Sequence, residues 1–204
     1  MLPLLLLAAC SGSSGGAAGD TPEPLPAPAL SVVPLSGQQI PVLPVTFLVV
    51  APPVDEQLPG PREARLAWAD TVVAGVLKAR APEVSWVLPP QLREVAHRAP
   101  NMVPEPDRMG QAVMRSSALE VIPDPLRSSL RALAALTNAR MVFIPAALRL
   151  APDSAGSGVR AEASLVLVDT RNGRVLWRSN PAANGSDAAA AIRATLAHVL
   201  PDFD

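Results

Sequence analysis

Leu165-Val166-Leu167-Val168-Asp169-Thr170-Arg171-Asn172-Gly173-Arg174-Val175-Leu176-Trp177 reads as an apolar strand, a turn and a second strand in one unbroken run. Asn172-Gly173 is the strongest hairpin signal in the chain, because the turn needs a residue that takes positive φ without strain. Asp169 is placed to accept backbone N–H groups of that turn. Trp177 offers a large apolar surface to a helix layer. The strand expected over residues 159–169 is two-sided. Its first half alternates, with Arg160, Glu162 and Ser164 on one face and Ala161, Ala163 and Leu165 on the other. Its second half is apolar on both faces, which predicts cover on both.

Working outward, strands and helices alternate, and the fold class is α/β: one mixed sheet of about five strands with helices packed on it. An apolar run over residues 42–50 predicts a buried first strand with Pro44 near its start. Pro61 opens a helix that Pro82 ends, with Leu66, Ala69, Val73, Val76 and Leu77 on one face. A short strand over 84–88 and a helix over 89–99 follow. Residues 100–111 read as a loop, and a short helix is expected after it. Asp124-Pro125 signals a helix start, followed by Leu126, Leu130 and Leu133. The third strand, 141–150, carries Pro145, which predicts a sheet edge or a bulge. After the hairpin, Gly185-Ser186 is expected to cap a last helix whose apolar face holds Ala189, Ile192, Leu196 and Val199.

The hairpin run, with Val168-Asp169-Thr170, a Gly turn and Val175-Leu176-Trp177, resembles the strand–turn–strand of a loose superfamily of periplasmic lipoprotein domains. That group includes the N-terminal domain of TolB, the curli secretion channel subunit and lipoprotein activators of penicillin-binding proteins. The start of the third strand, Ala139-Arg140-Met141-Val142-Phe143, is also similar to theirs. The resemblance implies an envelope domain that binds or scaffolds other proteins. The long alternating hairpins of the channel-forming members are missing from loops 100–111 and 151–158, so a barrel is not expected.

Upstream, the apolar run Leu2-Pro3-Leu4-Leu5-Leu6-Leu7 leads into Ala8-Ala9-Cys10, and Cys10 is the one cysteine of the chain. This run resembles a bacterial lipobox. The resemblance implies a signal peptide over 1–9, lipidation of Cys10 and a tether to the outer membrane with the domain facing the periplasm. The apolar run is shorter than the roughly 20 residues that span a bilayer. No Lys or Arg precedes Cys10, so a basic segment is expected upstream of Met1. Ser11-Gly12-Ser13-Ser14-Gly15-Gly16 and the alternating prolines of 21–28 read as a disordered stalk, with a linker over 10–40 and the domain over 41–204. A polyproline-like stalk of that length reaches at most ~90 Å. Shortening the chain by residues 20–40 is expected to leave the domain folded.

Composition narrows the function. The 204 residues carry 17 basic and 18 acidic side chains, and aromatics make up 3%, so no field or stacking platform for nucleic acid exists. A single cysteine allows no internal disulfide. No Gly-x-Ser-x-Gly, His-Glu-x-x-His or P-loop motif occurs, and His97 and His198 lie far apart. His97 reads as a surface residue and His198 as partly buried at a helix end. No cofactor, metal or catalytic set is expected, and the protein is read as a non-enzyme. Arg171, Arg174 and Arg178 cluster about the hairpin. They read either as a charged sheet edge protected from aggregation or as a contact for an acidic partner. The expected partners are the membrane, through lipid, and another envelope protein. A homo-oligomer held through a sheet edge, as a ring subunit of an export or assembly machine, is the alternative.

Overall fold

The computed structural model describes residues 27–154 and 156–200. Among them lie seven strands: β1 Gln39–Pro41, β2 Leu48–Val50, β3 Ser85–Val87, β4 Met141–Pro152, β5 Val159–Asp169, β6 Val175–Ser179 and β7 Ala182–Gly185. Four helices accompany them: α1 Arg62–Arg80, α2 Pro89–Arg98, α3 Leu126–Leu136 and α4 Ala188–Ala197. The main sheet has five strands in the order β2-β4-β5-β6, with β7 also on β5. β2 runs parallel to β4, and the other pairs are antiparallel, so the sheet is mixed as expected. β1 pairs in parallel with β3 and joins the main sheet through the bridge Val42–Phe143.

β4 and β5 pair along almost their whole length and make the spine. Pro145 sits at a register shift between Pro145 and Ala147. The bulge, not an edge, accommodates its missing N–H, because β4 lies between β2 and β5. The hairpin that follows β5 closes with Gly173 at φ 74°, where the Gly173 N–H donates to Asp169 O at 2.9 Å. Asp169 Oδ1 also accepts the Arg171 N–H at 2.8 Å, the bond its position predicted.

Two apolar cores flank the sheet. On one face α1 and α4 cover Leu148, Leu150, Ala161, Leu165 and Leu167. Phe143 stands between Trp86, edge-on at 5.9 Å, and Trp177, stacked at 6.4 Å. On the other face α2 and α3 cover Val142, Ile144, Ala146, Val166 and Val168. Both faces of the second half of β5 are therefore buried, as its apolar run predicts.

Four expectations need correction. The linker does not extend to residue 40. Leu30, Val32, Leu35 and Ile40 are buried. The Leu30 N–H donates to Val199 O at 2.7 Å, and Trp177 Nε1 donates to Pro28 O at 3.1 Å and Ala29 O at 3.2 Å. Residues 27–35 form a strap over the tryptophan side of the core, so a deletion reaching residue 40 would cut into it and remove β1. Of the first strand expected over 42–50 only Leu48–Val50 forms, as β2, while β1 lies before that range; Pro44, which lacks the N–H a continuous ladder needs, stands in the break between them. β7 was not foreseen: Ala182-Ala183-Asn184-Gly185 has little strand propensity, and its pairing with β5 is a tertiary effect. The last helix is capped by Asp187, whose carboxylate accepts the Ala190 N–H at 2.7 Å, and not by Gly185-Ser186.

Candidate functional site

The two helix layers are unequal. α2 and α3 pack on the half of β4 before its bulge, and no α-helix among the described residues lies over the far half of that face. Beyond the bulge β4 presents Ala147, Arg149 and Ala151, and β5 presents Ser164, Glu162 and Arg160 in matching register. The row extends to Val49 on β2, opposite Arg149, and to Ala182 on β7, opposite Glu162. Arg149, Arg160 and Glu162 are exposed, and Val49 is 44% exposed. The alternation in β5 is thus the record of one covered face and one open one.

The open face is the floor of a wide groove of about 1200 Å³, walled by Arg115 on one side and Asn180 and Pro181 on the other. Arg115 ends the 3-10 turn Gln111–Arg115. Its guanidinium lies 4.1 Å from the Phe47 ring centroid, and its Nε donates to Ala112 O at 3.0 Å. Cation–π stacking holds the charge at the rim without neutralising it. Arg160 Nε is 3.3 Å from Glu162 Oε1. Arg149 has no ion-pair partner among the described residues. Among the described residues three arginines face one carboxylate, so this part of the groove carries an excess of positive charge although the chain as a whole is at −1.

A polar staple ties α1 and α2 to the break between β1 and β2. Where β1 and β2 part, the Asp70 carboxylate of α1 reaches through the gap and accepts the Val45 N–H at 2.7 Å. Arg93 of α2 reaches the same carboxylate at 2.9 Å and Asp107 at 2.8 Å. Burial pushes the Asp70 carboxyl above the usual range, against the bonds from Val45 and Arg93 that lower it. Asp107 is held below it by the Arg93 hydrogen bond. Gln111 Nε2 donates to Pro106 O at 3.2 Å and Pro44 O at 3.4 Å, tying the turn that carries Arg115 to the break in the strand.

The arginines singled out by sequence separate. Arg171 and Arg174 are exposed at the hairpin tip. Arg178 is half-buried and donates to Met114 O at 2.6 Å and Leu119 O at 3.3 Å; burial lowers its pKa. It anchors the loop behind Arg115. The structure adds Arg131 of α3, whose Nη2 donates to Arg171 O at 3.0 Å. Arg140 donates to Asp169 Oδ2 at 2.8 Å. His97 is exposed, as read. His198 is exposed as well, at the groove mouth, and not partly buried, because it faces away from the side of α4 that packs. Neither imidazole takes part in a hydrogen bond or ion pair among the described residues. No set of three metal-ligating side chains occurs among the described residues. Cys10 lies outside the described residues. None of the described helices is long and apolar enough to cross a membrane.

The groove was missed as a site in the sequence, although its signal was present in Arg160, Glu162 and Ser164. Alternation shows that one face of a strand is polar; it does not show that neighbouring strands continue the same open surface.

Solved structures with a similar chain path exist. The C-terminal domain of LpoB from Escherichia coli is 14% identical over 74% of this chain and 85% of that one, with a TM-score of 0.41. The PelC dodecamer from Paraburkholderia phytofirmans is 17% identical over 85% and 94%, with a TM-score of 0.39. Lipoprotein GNA1162 from Neisseria meningitidis is 16% identical over 72% and 81%, with a TM-score of 0.33. None of these likenesses assigns a residue or a role in this chain. No family model matches the chain, and no curated protein matches it.

Proposed function

We propose that this protein is an envelope lipoprotein, lipidated on Cys10 and held at the outer membrane, whose periplasmic domain is a non-enzymatic module that binds or scaffolds another envelope protein. The observation that carries the binding role is the open, arginine-bearing half of one face of a sheet that is otherwise covered mainly by helices and the strap. A monomeric domain has no structural need to leave that much paired strand surface bare. Small residues and salt-bridged side chains line it, with no nucleophile hydrogen-bonded to a base, which favours recognition over chemistry. The lipobox resemblance and the Gly/Ser- and Pro-rich stretch before residue 27 support the anchor.

The anchor is tested by labelling cells with a clickable fatty acid and comparing wild type with Cys10→Ala in fractionated membranes. Label on the wild type alone, in the outer-membrane fraction, is the expected result. Label on neither form removes the lipid anchor and, with it, the envelope assignment.

A second reading, a ring-forming subunit, is favoured by the free edge of β2. Among the described residues Leu48–Val50 pairs on one side only, with β4. That edge takes the place of the third strand, which is interior. Native mass spectrometry checks it: a monomer at high concentration ends this reading and leaves the first intact.

A further inference from the structure

The proposed binding role leaves the partner's chemistry open, and the groove specifies it. The floor is made of small side chains, Ala147, Ser164 and Ala182, which let another polypeptide approach the sheet closely. Charge stands above that floor as Arg115, Arg149 and Arg160, against one carboxylate among the described residues, that of Glu162. At one margin Phe47 and the exposed Val49 supply apolar surface beside Arg115.

Three properties decide the occupant. The groove, about 1200 Å³ and open along its length, exceeds the 300–1,000 Å³ typical of small-molecule sites and suits a chain segment. Arginines beside an apolar margin match a polypeptide that alternates carboxylates with aliphatic side chains. A polyanionic glycan would pair with the arginines but leave the aliphatic side chain of the exposed Val49 unmatched. A basic partner would place like charges together in a partly desolvated cleft. From these properties we infer that the open face of β2, β4, β5 and β7 is the docking surface for an acidic segment of a partner protein. Arg149 is its principal charge contact and Arg115 its rim clamp. The inference rests on the proposed binding role, but not on the lipid anchor.

The test uses the full chain carrying Cys10→Ala, labelled with 15N. The probe is a synthetic peptide of alternating Glu and Leu with Gly spacers, titrated at physiological salt. A Lys-for-Glu version of the peptide and an oligogalacturonate of equal charge serve as controls. Expected are amide shift changes confined to Val49, Arg149, Ser164, Ala182 and their neighbours, with no binding of the Lys peptide. Affinity should fall at least tenfold in Arg149→Glu, and again in Arg115→Glu. It should change by less than twofold in the Arg171→Glu/Arg174→Glu pair at the hairpin tip. Because Arg149 is exposed and without an ion-pair partner among the described residues, its variant should keep the wild-type amide spectrum away from the groove. Shifts at residues 171–174 would move the contact to the hairpin and overturn the assignment. Equal or tighter binding of the oligogalacturonate at the groove would overturn the choice of a protein partner. No binding to either probe would overturn the surface itself. None of these outcomes alters the fatty-acid labelling result, so loss of the docking surface and loss of the anchor are read separately.

Discussion

At Gly185 the strand β7 and the helix α4 meet so closely that a Cβ would overlap the Ala191 nitrogen and the Ala190 carbonyl carbon. Gly185→Ala therefore forces the helix off the sheet and should cost about 3 kcal/mol. Gly173→Ala meets the Cδ and Cγ of Arg127 at 2.6 and 3.2 Å, atoms of a movable side chain, together with the strain of φ 74°. Its cost should be about 1 kcal/mol. Urea denaturation orders the two. Asp70 yields a finer contrast. Asn at that position keeps an oxygen for the Val45 N–H, and Arg93 keeps Asp107, so Asp70→Asn should cost at most about 1 kcal/mol. Asp70→Ala strands a buried N–H and should cost about 2–3 kcal/mol by the same measurement. Asp169 supplies the pH dependence. Burial works against its charge, yet the bonds from Arg140 and the Arg171 N–H prevail and hold its carboxyl below the usual range. A depressed folded value means that its stabilisation is complete above the unfolded value near 3.9 and is lost as pH falls through the folded one. Asp107 acts in the same direction. Asp70, whose value is raised, acts oppositely: its contribution declines as pH rises from about 3.9 through its folded value. The midpoint of urea unfolding should fall below about pH 4, and the fall should be shallower in Asp169→Asn, which removes one of the titrating groups.

Among the elements, those with a strong period or a strong stop were legible from sequence. α1 between Pro61 and Pro82, α3 after Asp124-Pro125, and β5 with its hairpin fall where their patterns place them. The elements that escaped owe their form to neighbours. β7 is a strand because β5 offers it a ladder. The strap over residues 27–35 looked like spacer because of its prolines, yet Leu30, Val32 and Leu35 are apolar at positions where the tryptophan side of the core needs cover. The groove shares this origin. Arg160, Glu162 and Ser164 advertised a polar face, but its extent depends on where α2 and α3 end. Removing the loop anchor tests how the rim is set. Arg178→Met keeps the stem and loses the bonds to Met114 and Leu119, so amide exchange should speed up across residues 111–119 and stay slow in β4 and β5. Unchanged exchange in that loop would show that Arg178 does not hold the Arg115 rim.

For the molecule as a whole, the strap redraws the boundary of the folding unit. A chain starting at residue 41 lacks Leu30, Val32, Leu35 and Ile40, all at 6% exposure or less. At about 1.5–3 kcal/mol for each buried side chain, their loss approaches the whole stability of an ordinary domain. Such a chain should show no cooperative thermal transition, whereas one starting at residue 27 should melt cooperatively. The same strap has a mechanical meaning. Any tension drawn through the residues before Ala27 enters the fold at Pro28, Ala29 and Leu30. From there it passes to the indole of Trp177 and to Val199 in the turn after α4, and through Trp177 onto Phe143 in the middle of the sheet. The load meets a few hydrogen bonds that can be peeled one at a time before it reaches the long β4–β5 ladder. Under a pull the strap would be loaded first, and peeling it would draw Leu30, Val32 and Leu35 out of the core before the long ladder is strained. Force applied at the N-terminal side is thus felt in the core, through Trp177 and Phe143, before it is felt in the β4–β5 ladder.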